Sequence, residues 1–526
     1  MTPPAALIDD YDSEDLSLRP SKRVKTTQAS SSIEDSEHGQ QATAVKRHPL
    51  GVRPSGNAFT ASVNLKAASG VYALLPDELL AQLLEYLEAA DLLRLGGTCR
   101  ALHAFTRSEE LWRALFVESS PSDFEWRGTW RSTLLGQPKT REPEVDCSNL
   151  FSDVLHRPFF CAHVPLDPFV ANIPPRNQIK RLDDLTFDDF SDHWTDKPFI
   201  ITKPTTQWPV YKTWSTATLL KQYRDVKFRA EAVDWPFSVY VDYMLNNSDE
   251  SPLYLFDRQF AEKMNLRVAD SSEASACESS GESAPDERKA AYWAPSFFGP
   301  DLFSVLGAQR PDHRWMIVGP ARSGSTFHKD PNATCAWNAV LTGRKYWIMF
   351  PSSASIPPPP GVFVSEDQSE VTSPLSIAEW LLAFHAEARR TEGCVEGICG
   401  QGELLYVPAG WYHLVLNLDE SIALTQNFVP RQRLPSVLHF LRDKPDQISG
   451  FSKDVENPYE LFVSRLREQM PDLLEEALPK LERLAKGPKA RWEELTKPQD
   501  ADEAESGFHF GFGGGDDVDD DDVEVP

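Results

Sequence analysis

The fold is decided by two stretches of the sequence, WMIVGPARSGSTFHKDP at residues 315–331 and GELLYVPAGWYHLVLNLDESIALTQNFV at residues 402–429. In the first stretch His328 and Asp330 are two positions apart, and residues with that spacing in an extended strand point to the same face of a sheet. The second stretch predicts two strands around a turn at residues 418–420, with His413 on the first strand. His328 and Asp330 can therefore reach one metal ion, and His413 is the candidate for a third ligand.

Two imidazoles and one carboxylate on one side of a cation leave its remaining positions open, which is the ligand set of non-haem Fe(II) oxygenases. The spacing by itself is weak, because a His-x-Asp pattern occurs by chance in many chains. A single histidine is more often an ordinary core or surface residue than a metal ligand. The flanking sequence has to decide between the two interpretations.

The chain of 526 residues is acidic, with a formal net charge of −26, and 41% of its residues are hydrophobic. That hydrophobic content suffices for two or three domains. The excess of acidic groups disfavours direct binding of nucleic acid. It suits a basic partner such as a Lys/Arg-rich protein segment, although acidity can also serve solubility alone.

The cysteines and the apolar runs indicate the compartment. Seven cysteines are irregularly spaced, and Cys394 and Cys399 lack further ligands at zinc-like spacing, so we expect free thiols in a reducing compartment. Neither a run of about 18 apolar residues nor a signal-peptide core is present, so we expect an intracellular protein that does not enter a membrane. The cluster KRVK at residues 22–25 is typical of nuclear-import signals and also of chance basic patches. We expect a nuclear protein, with the cytoplasm as a second compartment.

Changes in composition divide the chain into five parts. Residues 1–68 are polar and Ser-rich, and we expect them to be disordered. Residues 69–118 predict a small helical domain, and residues 145–450, dense in aromatic and β-branched residues, predict the main globular domain. Residues 451–500 predict helices, broken at Pro471 and Pro479, that cover the main domain or, as the alternative, pair with another chain. Residues 501–526 predict an acidic tail that like-charge repulsion keeps disordered.

The helical domain begins with LPDELLAQLLEYLEAADLL at residues 75–93, where leucines recur at the spacing of an amphipathic helix. Pro76 can start this helix, and Asp91 can cap the next one. Together with Cys99-Arg100 and Leu111-Trp112, the segment resembles an F-box, a family whose members bind the Skp1 adaptor of cullin ubiquitin ligases. A plain helical subdomain is the alternative. A block this small has little core of its own, so we expect it to dock on a partner or on the rest of the chain.

A buried cation is predicted by ATCAWNAVLTGRKYWIMF at residues 333–350. This stretch predicts a hairpin whose second strand carries Lys345, Trp347 and Met349 on one face. Lysine is almost never buried without a partner, so a lysine among aromatic residues calls for an explanation. A salt bridge to the carboxylate of a ligand would provide one. The alternative is that Lys345 lies at a strand end and extends to water.

From Trp315 to Phe428 the sequence resembles a Jumonji-C (JmjC) domain, a double-stranded β-helix of the cupin class. The resemblance is greatest to the branch of the arginine demethylase/lysyl hydroxylase once described as a phosphatidylserine receptor. The matching stretches are GPARSG (319–324), HKDP (328–331), AWNA (336–339), GRK (343–345), VPAGWYH (407–413), VLNLD (415–419), TQNF (425–428) and, upstream, SPLYLFD (251–257). The resemblance implies an α+β protein with a jelly-roll catalytic domain, a small helical F-box domain and C-terminal helices.

Carried over to this sequence, the resemblance implies that His328, Asp330 and His413 bind Fe(II) and that Lys345 binds the distal carboxylate of 2-oxoglutarate. It assigns the cosubstrate pocket to five further residues, namely Thr425 and Ser325 as hydroxyl donors and Asn338, Asn417 and Tyr254 as lining residues. The family more often has threonine at the position of Ser325, and both residues offer one hydroxyl. The Ser/Glu-rich insertion at residues 270–289 departs from the family and leaves the substrate-facing surface open.

Two hypotheses follow. The first is an Fe(II)- and 2-oxoglutarate-dependent dioxygenase that hydroxylates or demethylates Lys/Arg side chains of a protein substrate and is linked by its F-box to a Skp1–cullin ubiquitin ligase. The second is a substrate-recognition adaptor of such a ligase, whose JmjC domain binds its substrate without turnover. The complete triad and Lys345 favour the enzyme. Neither hypothesis includes direct binding of nucleic acid, and the sequence does not choose between hydroxylation and demethylation.

Overall fold

A computed structural model describes residues 46–138, 145–269, 290–353, 356–366 and 370–485. The predictions made for residues 1–45, for the insertion at 270–289 and for residues 486–526 lie outside the described residues. These include the basic cluster at 22–25 and the acidic tail.

Fifteen strands are described: β1 (Lys180–Leu182), β2 (Phe199–Ile201), β3 (Lys227–Ala230), β4 (Val233–Pro236), β5 (Leu255–Asp257), β6 (Arg314–Gly319), β7 (Gly324–His328), β8 (Cys335–Thr342), β9 (Lys345–Phe350), β10 (Phe363–Val364), β11 (Val371–Thr372), β12 (Val395–Cys399), β13 (Leu404–Val407), β14 (Tyr412–Asn417) and β15 (Ser421–Phe428). Nine of them form one sheet in the order β1-β2-β13-β8-β15-β6-β5-β3-β4, and four form a second sheet in the order β12-β9-β14-β7. Strands β10 and β11 pair with each other. Within the two large sheets, the β1–β2 pair is parallel and the other described pairs are antiparallel.

The two sheets face each other, and their inner faces meet in an apolar core. The larger sheet contributes Ile200, Ala336, Val340, Leu405 and Val407, and the smaller sheet contributes Trp347, Met349, Cys399 and Val415. Burial of alternate side chains from both sheets is what makes two facing sheets stable. The predicted α+β jelly-roll architecture is thus confirmed, including the turn at residues 418–420, which joins β14 to β15.

Five helices form the N-terminal block: α1 (Asp77–Leu84), α2 (Ala89–Gly96), α3 (Arg100–Phe105), α4 (Glu109–Ser119) and α5 (Trp130–Leu134). Their buried side chains, Trp112 and Trp130 among them, belong to the same hydrophobic core as Trp235 of β4. The block therefore docks on the rest of the chain, which is one of the two alternatives that the sequence predicts. The predicted cap at Asp91 is wrong, because α2 begins at Ala89 and Asp91 lies inside its first turn.

Structure begins before residue 69, where the sequence predicts the end of a disordered segment. Within residues 46–68, two short 3₁₀ helices span Ser55–Thr60 and Leu65–Ala68, and Val52 is buried in the core that holds the N-terminal helices. The amide of Arg53 donates to the carbonyl of Leu150 at 3.1 Å. The buried side chain of Val52 and several backbone hydrogen bonds hold this segment in place. Its polar composition predicts disorder because composition does not reveal such individual contacts.

Eight further helices surround the sheets: α6 (Asp153–His163), α7 (Asp167–Val170), α8 (Phe187–Asp189), α9 (Pro209–Thr213), α10 (Thr216–Tyr223), α11 (Phe237–Asn246), α12 (Phe260–Lys263) and α13 (Ile377–Ala388). Short 3₁₀ or π segments span Gly70–Leu74, Pro175–Asn177, Phe190–Trp194, Ser296–Phe298, Leu302–Gln309, Pro331–Ala333, Arg431–Arg433 and Pro445–Gln447. Across the described residues, no helix combines the length and the apolar character needed to cross a bilayer.

Three helices follow β15: α14 (Leu434–Asp443), α15 (Pro458–Gln469) and α16 (Pro471–Ala485). They share a core with the 3₁₀ segment Leu302–Gln309 and so cover one end of the main domain, as predicted. The expectation that Pro479 breaks the last helix is wrong, since Pro479 lies inside α16. The helix continues because Leu474, Ala477 and Leu481 on its other side are buried, which offsets the one backbone hydrogen bond that proline removes.

Candidate active site

His328, Asp330 and His413 meet at one end of the smaller sheet. His328 ends β7 and pairs across the sheet with His413 of β14, and their ring centroids are 4.1 Å apart. One ligand atom from each of the three residues lies within 4.8 Å of the others. Asp330 lies just beyond the strand rather than in it, but its backbone is still extended, with φ −67° and ψ 146°. The predicted convergence on one side is therefore confirmed.

Hydrogen bonds to backbone carbonyls orient both imidazoles. Nδ1 of His328 lies 2.8 Å from the carbonyl oxygen of Thr326, and Nδ1 of His413 lies 3.0 Å from that of Trp411. A carbonyl oxygen only accepts, so each Nδ1 carries the hydrogen and each Nε2 keeps its lone pair for a metal. Burial and the neighbouring His328 hold the pKa of His413 well below its usual range, which keeps this ligand neutral.

Asp330 completes the cluster with a carboxylate that lacks full compensation. Its Oδ2 is buried without a hydrogen-bond partner among the described residues. Burial raises the pKa of Asp330, while His328 and a hydrogen bond from the Asn427 amide act in the opposite direction. Asn427 is in turn fixed by a 2.9 Å bond from its Nδ2 to Oγ1 of Thr334. Sequence analysis assigned no role to Asn427, although it lies in the matched stretch TQNF.

Lys345 lies on the inner face of the same sheet and is fully buried. Its Nζ donates to the hydroxyl of Tyr254 and to Oδ1 of Asn417, each at 2.7 Å. Burial lowers the pKa of Lys345 to about 7, and no carboxylate among the described residues forms an ion pair with it. The alternative that Lys345 extends to water is wrong. A carboxylate ligand bound here would restore the full charge of the ammonium.

The two partners of Lys345 are themselves held in place. Asn417 accepts a hydrogen bond from Ser421 and donates one from Nδ2 to Oγ of Ser323, both at 2.9 Å. Gly319 lies directly beneath this group. A Cβ at that position would lie 2.8 Å from Nδ2 of Asn417 and from Cδ2 of Tyr254, so only glycine permits this approach.

The remaining predicted pocket residues lie on the same inner faces. Asn338 is buried, and its Oδ1 has no hydrogen-bond partner among the described residues. Thr425 pairs with Asn338 across β15 and β8 and donates its hydroxyl hydrogen to the carbonyl of Trp337 at 2.8 Å. Thr425 must leave that bond before it can donate to a ligand. Ser325 reaches the inner face because the register shifts between His413 and Val415, a β-bulge in the β7–β14 pair.

This donor set fits the cofactors that the sequence suggests. The cluster offers two imidazole nitrogens and one carboxylate on one side, which suits Fe(II) and leaves other positions for ligands. Among the described residues, Oδ2 of Asp330 has no hydrogen-bond partner and the ammonium of Lys345 has no ion-pair partner, and both groups are buried. A cation at the first and a dicarboxylate at the second would satisfy both groups.

Comparisons with known proteins agree with this geometry. Residues 193–433 match the family described as Cupin-like domain, and residues 72–118 match the family described as F-box-like. The chain is 37% identical over 448 residues to "Arginine-specific demethylase JMJ22" of Arabidopsis thaliana. The aligned segment covers 82% of this chain and 84% of that relative. It is 32% identical over 321 residues to "Bifunctional arginine demethylase and lysyl-hydroxylase psr-1" of Caenorhabditis elegans, with coverage of 58% and 72%.

A more distant relative carries the cofactors in its name. The chain is 30% identical over 164 residues to "2-oxoglutarate and iron-dependent oxygenase JMJD4" of Homo sapiens, which covers 31% of this chain and 35% of that protein. The matched segments, the facing sheets and the cluster at His328, Asp330 and His413 lead to the same assignment. The chain belongs to the cupin-like JmjC family of iron- and 2-oxoglutarate-dependent oxygenases, and it carries an F-box-like domain ahead of the oxygenase domain.

Proposed function

We propose that this enzyme oxidises Lys or Arg side chains of a protein substrate, with His328, Asp330 and His413 as the Fe(II) ligands and Lys345 as the residue that binds 2-oxoglutarate. The observation that carries the proposal is the buried ammonium of Lys345. It has no anionic partner among the described ion pairs and lies on the same sheet as the cluster of potential metal ligands. No structural role would offset the cost of burying that group alone.

The residues of the chain perform three tasks in such a reaction. Thr326 and Trp411 fix the imidazoles with Nε2 available. Tyr254 and Asn417 hold the ammonium of Lys345 toward the interior. Trp347 is buried, with its ring centroid 5.9 Å from that of His413, and would exclude water from the inner side of the site. When bound, iron with 2-oxoglutarate would supply, by reaction with dioxygen, the oxidation of a substrate C–H bond to C–OH. A hydroxylated N-methyl group is then lost as formaldehyde, whereas a hydroxylated methylene keeps its hydroxyl group.

A pair of stacked aromatic rings supports a cationic substrate. Phe256 and Trp315 have ring centroids 5.3 Å apart, and Phe256 is 38% exposed. Phe256 pairs with Ile317, which clusters with Tyr254 on the inner face, and Trp315 lies two residues before Ile317 on the same face. Flat aromatic faces attract guanidinium and ammonium groups, and the net charge of −26 favours the approach of basic segments. The relatives named arginine demethylase and lysyl-hydroxylase have substrates of this kind.

The test is turnover of basic peptides by the purified full chain. We expect succinate to form only with Fe(II) and 2-oxoglutarate, and mass spectrometry to show a peptide that gains one oxygen atom or loses one CH₂ unit. His328→Ala and Asp330→Ala remove metal ligands and are expected to abolish both products. His439→Ala, at a partly exposed position of α14 outside the site, is the matched histidine control and should keep full activity. A wild-type protein that binds iron and 2-oxoglutarate yet never forms succinate would disprove the enzymatic proposal.

A second function, as an adaptor of a ubiquitin ligase, is favoured by the surface of the F-box-like domain. Leu80 and Leu84 of α1 are buried, but five large apolar side chains within residues 72–118 are exposed: Leu74, Leu79, Leu83, Tyr86 and Leu93. Contiguous exposed apolar residues mark interaction sites, and a Skp1-like adaptor is the partner that this family implies. Co-purification with Skp1 that is lost in Leu83→Asp and kept in His328→Ala would support the linkage. No binding by the wild-type chain would eliminate it.

The same proposal includes a nuclear location, supported by the basic cluster at residues 22–25, which lies outside the described residues. Fluorescence microscopy of the full chain in cells tests it. Replacement of Lys22, Arg23 and Lys25 by alanine is expected to shift the protein to the cytoplasm. Unchanged nuclear fluorescence in that variant would show that the cluster is not the import signal.

A further inference from the structure

The residue that holds Lys345 comes from an irregular segment of chain. Tyr254 lies between α11, which ends at Asn246, and β5, which begins at Leu255. Regular hydrogen bonding in a sheet or helix does not fix this segment, so its position depends on side chains from elsewhere. The geometry of the pocket therefore depends on what anchors residues 247–254.

Arg113 of helix α4 is one anchor. Its guanidinium donates to the carbonyl oxygen of Ser251 at 3.0 Å and to Oε2 of Glu231 at 2.7 Å. The other carboxylate oxygen of Glu231 accepts the backbone N–H of Tyr254 at 3.1 Å. One carboxylate thus joins a helix of the F-box-like domain to the backbone of the residue whose phenol hydrogen-bonds Lys345.

The backbone conformation and the partial burial of Glu231 indicate that its contacts with Arg113 and Tyr254 are specific. Glu231 occupies the β3–β4 turn with φ +51°, a left-handed conformation that costs free energy in a residue other than glycine. The side chains of Arg113 and Glu231 are 27% and 35% exposed, so water screens the ion pair only in part. Burial raises the pKa of Glu231, and Arg113 together with the N–H of Tyr254 opposes that rise.

Further anchors come from α5 of the N-terminal block and from α11. Nε1 of Trp130, in α5, donates to Oδ2 of Asp249 at 2.8 Å. The hydroxyl of Tyr243 donates to the same oxygen at 2.7 Å and accepts the N–H of Leu253 at 2.8 Å. Residues 247–254 are therefore held between the N-terminal helices and α11.

We propose that the F-box-like domain forms part of the 2-oxoglutarate site, with Arg113 and Glu231 acting as positioning residues for Tyr254. The inference rests on the proposed role of Lys345 in binding 2-oxoglutarate. Binding energies of linked sites are reciprocal, so occupancy of the pocket and rigidity of the N-terminal block are coupled. A partner that moves α4 changes the affinity of the oxygenase for its cosubstrate, and the cosubstrate stabilises the surface that such a partner meets.

The dissociation constant of 2-oxoglutarate, measured by anaerobic calorimetry on the full chain loaded with Mn(II) in place of iron, tests the proposal. Arg113→Ala and Glu231→Ala each break the bridge and are expected to raise this constant about tenfold. Arg113→Lys keeps the charge but reaches fewer acceptors, so it should restore part of the affinity. The double variant should be no weaker than the weaker single variant, because both residues act through one bridge.

Arg94→Ala is the control, since Arg94 forms an exposed ion pair with Asp91 on the same domain. It should bind 2-oxoglutarate as the wild type does. With peptide turnover as a second readout, the bridge variants should raise KM for 2-oxoglutarate and leave kcat nearly unchanged. A purely structural role would lower the thermal stability and leave the dissociation constant within twofold of wild type, which would overturn the proposal.

Hydrogen exchange of the wild-type chain provides a test that needs no variant. Addition of 2-oxoglutarate to the Mn(II)-loaded protein should slow exchange in α4 and α5 as well as around Lys345. Slowed exchange confined to the pocket would contradict the coupling. A wild-type protein that does not bind 2-oxoglutarate at all would instead refute the proposed function, and the two failures are therefore distinguishable.

Discussion

Replacement of Lys345 by methionine separates the effect of this residue on the stability of the folded protein from its effect on the binding of 2-oxoglutarate. The side chain is fully buried, and burial lowers its pKa from 10.5 to about 7. At about 1.4 kcal/mol per pKa unit, holding an amine there near neutral pH costs the folded state on the order of 4 kcal/mol. Methionine removes that cost and loses two hydrogen bonds worth about 1–3 kcal/mol together. The ligand-free variant should therefore be more stable than the wild type, by about 1–3 kcal/mol.

The same change should nearly abolish binding of 2-oxoglutarate. Loss of one partner of a buried ion pair costs about 3–5 kcal/mol, which raises the dissociation constant by roughly a hundredfold to several thousandfold. Circular dichroism during heating gives Tm without ligand, and anaerobic calorimetry with Mn(II) gives the dissociation constant. Lys480→Met, at an exposed position of α16, is the control and should change neither quantity. A variant with a Tm several degrees below wild type, or with nearly unchanged affinity, would refute the reasoning.

Three further predictions concern the pocket and its rim. Gly319→Ala should weaken binding of 2-oxoglutarate at least tenfold in calorimetry, because the added methyl group would lie 2.8 Å from Nδ2 of Asn417. Wild-type affinity in this variant would show that the pocket residues can move to accommodate the methyl group. Above about pH 7 the amine of Lys345 is mostly neutral and must take up a proton to bind a carboxylate, so the dissociation constant of 2-oxoglutarate should rise up to tenfold per pH unit. Calorimetric titrations in buffers of different ionisation enthalpy should reveal this proton uptake. A dissociation constant that does not change with pH would contradict the prediction. Phe256→Ala should raise KM for a basic peptide by roughly 2-fold to 30-fold and leave KM for 2-oxoglutarate unchanged. The control Phe59→Ala also removes an exposed ring and should change neither KM. Equal effects of the two substitutions would show that the pair of Phe256 and Trp315 does not bind the peptide.

The sequence predicts the centre of the site well because its elements are short and local. Two residues of extended chain place His328 and Asp330 on one side, and a hairpin places Lys345 on the inner face of a strand. The β-bulge that turns Ser325 inward is not visible in the sequence, because an inserted residue leaves the alternation of side chains unchanged on either side of it.

Contacts between distant parts of the chain could not be predicted from the sequence, for a different reason. Arg113 and Glu231 are an ordinary charged helix residue and an ordinary turn residue until the fold brings them together. Asn427 lies in a matched stretch, but its effect on Asp330 depends on how β15 packs beside the loop after β7. Composition likewise concealed the buried Val52 in a polar segment. Local periodicity carries no information about such long-range pairs.

A crystal structure of the full chain, grown without oxygen in the presence of Mn(II) and 2-oxoglutarate, is the most direct test of the central claim. We expect one metal ion at about 2.0–2.3 Å from Nε2 of His328, Nε2 of His413 and a carboxylate oxygen of Asp330. The distal carboxylate of 2-oxoglutarate should then lie against Nζ of Lys345 and the hydroxyl of Tyr254. A metal ion bound elsewhere, or a 2-oxoglutarate molecule that does not contact Lys345, would contradict the assignment of this site.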